Sequence, residues 1–532
     1  MPLKEPIVYR NRRDFLKIIA IVAIASMLPA CTESPGSEHP NVLFISIDDL
    51  RPDLGCYGNA DIKTPNIDRF AETGMVFMQA HCQAAVCAPS RASLMTGLRP
   101  NSTRVWHLGD KFRETIPDVV TLPQHFHKFG YYTVSMGKIF HNFMPDSVSF
   151  DEPDLRPAQY RTREMVKRDA ETFYYAKEIQ EAQIQLREEK LKRRPEAIKY
   201  ADGWNVGPAY EIADAPDDAY YDGAQTDLAI NTLKRLKQKD QPFFLALGYY
   251  RPHLPFAAPK KYWDLYERDA IPLASNPFLP KDSPVFAINS MYELRGYSDF
   301  SHIGHPSEYH IPDQEARLLK HGYYASVSYV DACIGRLMSA LEALGLADNT
   351  IVVIWGDHGW KLGEHNSWCK QTNYEIDTHV PLIISAPGMK GRGGKSYALT
   401  ELVDIFPTLC DLAGIEIPSE MEGLSVRPLL DQPDLPWKEA VFSQFHRRPK
   451  VTPDGKRYMG YSMHTERYHY IEWYYWDNEK KTATEYVTAE LYDHHADPEE
   501  NVNIALLPEH AQLVQQLAEQ LKGGWRAALP KD

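Results

Sequence analysis

The sequence predicts an α/β fold, a mostly parallel central sheet flanked by helices, with a smaller antiparallel α+β subdomain at its C-terminal end. Three observations predict it. Short apolar, β-branched runs recur from residue 41 to residue 386. Amphipathic helical stretches separate them, and such alternation builds parallel sheets. Beyond residues 431–437 (D-Q-P-D-L-P-W) the texture changes to short aromatic strands.

Residues 41–47 (N-V-L-F-I-S-I) are the first run and end in Asp48-Asp49. A continuous apolar run this short suits a strand buried on both faces. Residues 131–136 (Y-Y-T-V-S-M) precede Gly137-Lys138, and 242–248 (P-F-F-L-A-L-G) lead toward His253. Residues 350–355 (T-I-V-V-I-W) precede Asp357-His358, and 381–386 add another run. Helical stretches at 222–237 and 319–344 lie between them. Residues 161–194, dense in Lys, Arg and Glu, read as a solvated helix inserted between sheet elements. Residues 270–312 read as a long loop, and long loops inside compact domains carry function or move. Strands at 440–445, 458–463 and 468–476 and a helix at about 508–521 make the C-terminal part. The expected boundaries are a main domain over 41–430 and a subdomain over 437–532.

Composition narrows the function. The 532 residues are 43% hydrophobic and 24% charged, which excludes a disordered, collagen-like or many-pass membrane chain. Seven cysteines in so long a chain are no disulfide scaffold. A net charge of -14 excludes a nucleic-acid binder, which needs a basic face. An anionic substrate would have to be met by a local basic pocket.

Residues 10–17 read R-N-R-R-D-F-L-K, and Arg12-Arg13 before Phe15, Leu16 and Lys17 look like a twin-arginine export signal. The apolar stretch at 18–28 is too short for a stable membrane span. Leu28-Pro29-Ala30-Cys31 resembles a lipobox, so residues 1–30 would be removed and Cys31 acylated. The competing reading is a short buried helix; a charged head, apolar run and small-residue cut site in that order favour the signal peptide. Residues 31–40 form a polar tether. The chain is therefore expected to be exported, in the periplasm or on the outer membrane or cell surface, and to meet the membrane through a lipid anchor only.

In open α/β sheets ligands bind beyond the carboxyl ends of the strands. Four runs deliver polar groups there: Asp48 with Asp49, Lys138 with His141, His253, and Asp357 with His358. Two adjacent carboxylates repel unless a cation neutralises them. Asp357 would add a third, and three carboxylates suit a hard divalent cation such as Ca²⁺ or Mg²⁺. An isolated Asp-Asp would instead be a helix cap and a solvated turn. Residues 87–97 read C-A-P-S-R-A-S-L-M-T-G. Pro89 and Ser90 sit where a helix begins, so Cys87 lies at a helix N-terminus, where anions are favoured. Arg91 is one turn on. The plainer alternative is a reactive or merely buried thiol.

Cys87-Ala88-Pro89-Ser90-Arg91 with Leu94-Met95-Thr96-Gly97 resembles the C-x-P-S-R-x-x-L-x-T-G signature of the formylglycine-dependent sulfatases of the alkaline phosphatase superfamily. The resemblance covers nearly the whole chain beyond the signal segment and looks strongest to the iduronate-2-sulfatase branch. It rests on I-D-D-L-R-P-D-L-G-C-Y-G at 47–58, M-G-K-I-F-H at 136–141 and Y-R-P-H-L-P-F at 250–256. It continues in G-D-H-G-W-K-L-G-E-H-N-S-W-C-K at 356–370, T-H-V-P-L-I at 378–383 and M-G-Y-S-M-H-T at 459–465.

The resemblance implies an alkaline-phosphatase-like sheet and a sulfatase acting on sulfated carbohydrate. It implies that a maturation enzyme oxidises Cys87 to formylglycine, whose hydrate attacks sulfur and then expels sulfate. It implies Ca²⁺ held by Asp48, Asp49, Asp357 and His358 together with residue 87. Arg91, Lys138 and Lys370 would meet negative charge, His141 would remove a proton, and His253 would protonate the leaving sugar oxygen, a task Lys370 could share. Cys369 beside Lys370 departs from the pattern. Rival readings are a phosphomonoester or phosphonate-ester hydrolase on the same scaffold, and a glycan-binding lipoprotein with Cys87 unmodified. Cys82, Cys333 and Cys410 read as core, and Trp473 to Trp476 as packing before sugar stacking. His446, Arg447, Arg448 and Lys450 read as a basic turn, either solvated or touching a substrate carboxylate or second sulfate.

Overall fold

Alternation of side chains across each strand explains the layering. In β1 (Asn41–Ile47), Leu43, Ile45 and Ile47 enter one apolar core, and Val42 and Phe44 the other, because successive side chains point to opposite faces. β2 (Met75–His81), β3 (Tyr132–Gly137), β4 (Phe243–Tyr249), β5 (Thr350–Gly356), β6 (His379–Val380), β7 (Leu382–Ser385) and β8 (Gly394–Glu401) complete an eight-stranded sheet. Its order is β6-β2-β7-β5-β1-β4-β3, with β8 beside β2. β5, β1, β4 and β3 run parallel, while β7 is antiparallel to β5 and to β2. The sheet is mostly parallel, as the apolar runs predict.

This computed structural model describes residues 39–141, 146–158, 173–193, 207–449 and 452–531. The expected signal segment 1–30, tether residues 31–38 and Cys31 lie outside the described residues, as do 161–172 and 194 of the charged stretch and Lys450 of the basic turn. Among the described residues no helix is long and apolar enough to cross a membrane.

Helices cover both faces. They include α1 (Cys87–Thr96), α2 (Lys177–Arg193), α3 (Tyr221–Leu236), α4 (Asp313–Ala343) and α5 (Ile405–Ala413). α3 and α4 bring Leu233, Leu319, Tyr323, Val330 and Leu337 to the first core. α1 and α5 bring Leu94, Met95, Phe406 and Leu409 to the second. α2 is the described part of the expected charged helix. Between Ile271 and Pro312 only short turns occur, so the long loop is as expected, yet Asn289, Met291 and Leu294 within it are buried.

The C-terminal sheet has order β9 (Val441–Arg447), β10 (Tyr458–His464), β11 (Tyr468–Asp477), β12 (Thr482–Asp493), every pair antiparallel. α6 (Ala511–Ala527) lays Leu517 against Met463, Tyr470 and Leu491. β12 escaped the sequence reading because its first half is largely exposed and lacks an apolar face. The basic turn needs correction. β9 runs on to Arg447, so His446 and Arg447 are buried, and the Arg447 guanidinium donates to the Ala287 carbonyl. Trp473 is fully buried and donates to Glu490 at 2.7 Å, so it packs.

Candidate active site

The strand ends converge. The Asp48 amide still bonds the Tyr249 carbonyl at 3.2 Å, extending the β1–β4 ladder by one residue. Asp49 then adopts φ 60, a left-handed turn that a short polar side chain tolerates. The turn lets both carboxylates reach one centre although they are adjacent. Both are fully buried, and the Asp49 amide donates to Asp357 Oδ1 at 3.0 Å from the end of β5.

α1 presents Cys87 at its first turn and Arg91 one turn later, and every residue of this helix is buried. Arg91 Nη2 bonds Asp48 Oδ1 at 3.0 Å and Nε bonds Asp357 Oδ2 at 2.9 Å. Its Nη1 donates to Ser46 Oγ and the Ile139 carbonyl, each at 3.1 Å, and to the Lys138 carbonyl. The planar fork thus ties two carboxylates to the ends of β1 and β3.

Lys138 follows Gly137, whose φ of 73 and crowding by Gly248 (2.1 Å from an added Cβ to its carbonyl oxygen) require glycine. Its ammonium bonds Asp48 and stands 3.5 Å from Cys87 Sγ. Lys370 follows a hairpin pairing Lys361–Leu362 with Trp368–Cys369, and its neighbours Cys369 and Gln371 have φ 70 and 83. This strained backbone aims Lys370 Nζ at Asp49 Oδ1, 2.6 Å away, and at Glu293, 3.2 Å away. His253 Nε2 lies 2.9 Å from Glu293 Oε1 and 3.9 Å from Asp49 Oδ2. His358 Nδ1 donates to the Gly359 carbonyl at 3.0 Å, which leaves Nε2 as the lone-pair nitrogen. That nitrogen is 3.3 Å from Cys87 Sγ and 3.4 Å from Asp49 Oδ1.

All nine of Asp48, Asp49, Cys87, Arg91, Lys138, His253, Asp357, His358 and Lys370 therefore join one network. His141 lies at its edge: with Ala88 and Arg91 it lines a cavity of about 260 Å³ that also takes in Lys111 and Arg113. Glu293 is the residue that sequence reasoning missed. It sits in the long loop, whose length was the only signal pointing there.

Burial alone would raise the Asp48 carboxyl, but Lys138 and Arg91 prevail and hold it well below the usual carboxylate range. Burial prevails at Asp49, which is raised despite Lys370. Burial pushes the Cys87 thiol well up, so as a thiol it is a poor nucleophile. Burial, aided by Lys138, keeps the His141 imidazole far below its ordinary value and neutral.

The residues fit a metal ion. Asp48, Cys87, Asp357 and His358 offer donor atoms all within 4.8 Å of one another, and Asp48, Asp49 and His253 form an overlapping group. Asp49 Oδ2 is buried without a hydrogen-bond partner, an atom a cation would satisfy. Three carboxylates favour a hard divalent ion.

Residues 40–415 match the family model described as Sulfatase, and 363–526 match the C-terminal model of N-sulphoglucosamine sulphohydrolase. Human iduronate 2-sulfatase is 33% identical over 87% of this chain and 90% of its own length. A solved structure in complex with its substrate D-glucosamine-2-N,6-O-disulfate superposes with TM-score 0.67 at 23% identity, covering 92% of this chain and 99% of that one. A phosphonate monoester hydrolase of Agrobacterium radiobacter does so with TM-score 0.68 at 24% identity, covering 92% and 95%. These two share the fold. The family match spans most of the length and carries the Cys87 signature, and so the chain belongs to the formylglycine-dependent sulfatase family and is a sulfuric ester hydrolase.

Proposed function

We propose that this chain removes sulfate from a carbohydrate, in the manner of an iduronate-2-sulfatase, using Cys87 matured to formylglycine by a separate enzyme and a calcium ion. One observation carries the reading: Cys87, buried at a helix N-terminus, has His358 Nε2 at 3.3 Å and the Lys138 ammonium at 3.5 Å, with Asp48 and Asp357 in the same donor group. The human relative named for iduronate 2-sulfate and the fold neighbour holding a sulfated glucosamine support a sugar substrate.

Asp48, Asp49, Asp357 and His358 would hold the calcium ion. Bound there, it supplies Lewis-acid polarisation of a sulfate oxygen and lowers the pKa of a hydroxyl beside it. The formylglycine hydrate would supply a nucleophilic hydroxyl and a second hydroxyl whose loss of a proton re-forms the carbonyl and releases the sulfate, an exit that a thiol or plain alcohol lacks. Arg91 positions Asp48 and Asp357. Lys138 and Lys370 place two ammonium groups against charge that grows on sulfate oxygens. Neutral His141 takes a proton from the residue 87 side. His253 donates a proton to the leaving sugar oxygen, and Glu293 fixes its ring and the Lys370 ammonium. The twin-arginine-like head and the lipobox-like stretch before Cys31 support a location outside the cytoplasm on a lipid anchor.

Mass spectrometry of the Cys87 peptide from the protein's own host, with sulfate release from defined sulfated disaccharides and from aryl sulfate against aryl phosphate, tests this. Formylglycine and a sulfate preference are expected. An intact thiol or a clear phosphate preference overturns the reading.

A further inference from the structure

A second cluster of donor atoms lies where the C-terminal sheet meets the main sheet. His81 ends β2, Glu375 opens a short turn at Glu375–Thr378 ahead of β6, and His464 ends β10. Their donor atoms all lie within 4.8 Å of one another. We propose that His81, Glu375 and His464 bind a transition-metal ion of the zinc class that fastens the two sheets together.

The distances are those of donors around a small ion. Glu375 Oε2 is 3.2 Å from His464 Nε2 and 3.6 Å from His81 Nδ1. Two donors about 2.1 Å from a tetrahedral ion stand about 3.4 Å apart. His81 is 1% exposed, its Nδ1 lies beyond hydrogen-bond reach of Glu375, and its Nε2 has no hydrogen-bond partner. Glu375 Oε2 and His464 Nδ1 are likewise buried without one. An ion held between Glu375 Oε2, His81 Nδ1 and His464 Nε2 would satisfy the orphaned Glu375 oxygen.

The surroundings complete a metal environment. His379 Nε2 is held by the Met78 carbonyl at 2.9 Å, turning Nδ1 toward Glu375 Oε1 at 3.6 Å. His494 bridges from His464 Nε2 at 3.1 Å to Glu500 Oε1 at 2.9 Å. Burial holds the His81 imidazole down to about 4, so one ring nitrogen keeps its lone pair available. A cavity of about 400 Å³ reaches Glu375, His379 and Glu500, and its lining carries Asp61 and Glu499 besides Lys320 and the Asp53 and Glu364 carboxylates paired with Arg51. Two imidazoles and one carboxylate favour zinc-class ions over calcium. β2 leads through Cys82 to Cys87, so a clamp on His81 steadies the strand that feeds the active-site helix.

The test uses the full chain saturated with calcium, which fills the carboxylate centre, then exposed to Zn²⁺ alone and dialysed. The wild type is expected to retain one zinc equivalent per chain, and His81→Gln and His464→Gln to lose it. Co²⁺ in place of Zn²⁺ is expected to give the intense visible absorption of a tetrahedral ion in the wild type, a readout independent of variant folding and of Cys87 maturation. No retained zinc, equal zinc in wild type and folded variants, or the weak absorption of six-coordinate cobalt would each overturn the proposal.

Discussion

Replacing Arg91 with lysine tests the core of the site, because it keeps the charge and removes the fork. The guanidinium is wholly buried and joins Asp48 and Asp357 while also bonding Ser46 Oγ and the carbonyls of Lys138 and Ile139. It also lies 5.4 Å from the Trp355 ring centroid. A shorter ammonium reaches one carboxylate and leaves the other without its partner. Breaking a buried ion pair costs about 3–5 kcal/mol, and each lost charge-assisted bond about 1.5–3 kcal/mol, the two figures overlapping. We expect Arg91→Lys to lose about 4 kcal/mol of unfolding free energy, roughly a thousandfold in the unfolded population. Urea unfolding followed by tryptophan fluorescence reads this. Calcium affinity should fall about 10–100-fold in parallel, since Asp48 and Asp357 lose their orientation. A variant within about 1 kcal/mol of wild type with unchanged calcium binding would refute the positioning role.

His253→Gln should lower kcat on a sugar sulfate about 10²–10⁴-fold, and far less on an aryl sulfate whose phenolate leaves unaided; equal losses on both would remove the proton-donor assignment. Glu293→Gln keeps the shape but not the charge facing His253 and Lys370, and kcat should fall about tenfold or more with KM less affected; unchanged kinetics would show that the contact is idle. Stripping calcium should abolish turnover, restored by calcium, and lower stability by about 2.7 kcal/mol relative to free calcium at a hundred times Kd; an unfolding midpoint indifferent to chelator would contradict the donor set. Burial would raise the Glu364 carboxyl, but Arg51 at 2.8 Å holds it down to about 2 from 4.5. A folded-state value below the unfolded one stabilises above pH 4.5 and is lost as pH falls toward 2, about 3 kcal/mol in all. Glu364→Gln should remove that acid-dependent component, and an unaltered acid unfolding curve would exclude it.

The strand ends were legible because apolar runs reveal strands and the polar residues after them have to emerge at the sheet edge. Asp48, Lys138 and Asp357 follow from that logic alone. Local sequence carries the Cys87 helix start and the glycine at 137. Partnerships between distant residues leave no such mark. Glu293 lies in a stretch without periodicity, and nothing local says that its carboxylate folds onto His253. His81 and His464 stand nearly four hundred positions apart, and only the docking of β10 near β2 brings them together. The basic turn was misread because charged residues in a run suggest solvent, whereas strand pairing carried His446 and Arg447 inward.

Charge bookkeeping explains why an acidic protein can still receive an anion at this place. With every imidazole neutral, before His253 takes up the proton its acid role needs, the network holds four carboxylates, from Asp48, Asp49, Asp357 and Glu293, against three cations, from Arg91, Lys138 and Lys370. That balance is negative by one charge and would repel a sulfate ester. A divalent ion among the aspartates turns it positive by one. The same ion would relieve Lys138 and Lys370 of their carboxylates and free their ammonium groups for substrate oxygens. In a buried, low-dielectric pocket a change of two charges outweighs the diffuse surface charge of -14, which salt screens beyond about 10 Å. With such an ion, metal binding and anion recognition would be one electrostatic event, and the carboxylates that look unsuited to a sulfate site would make it switchable.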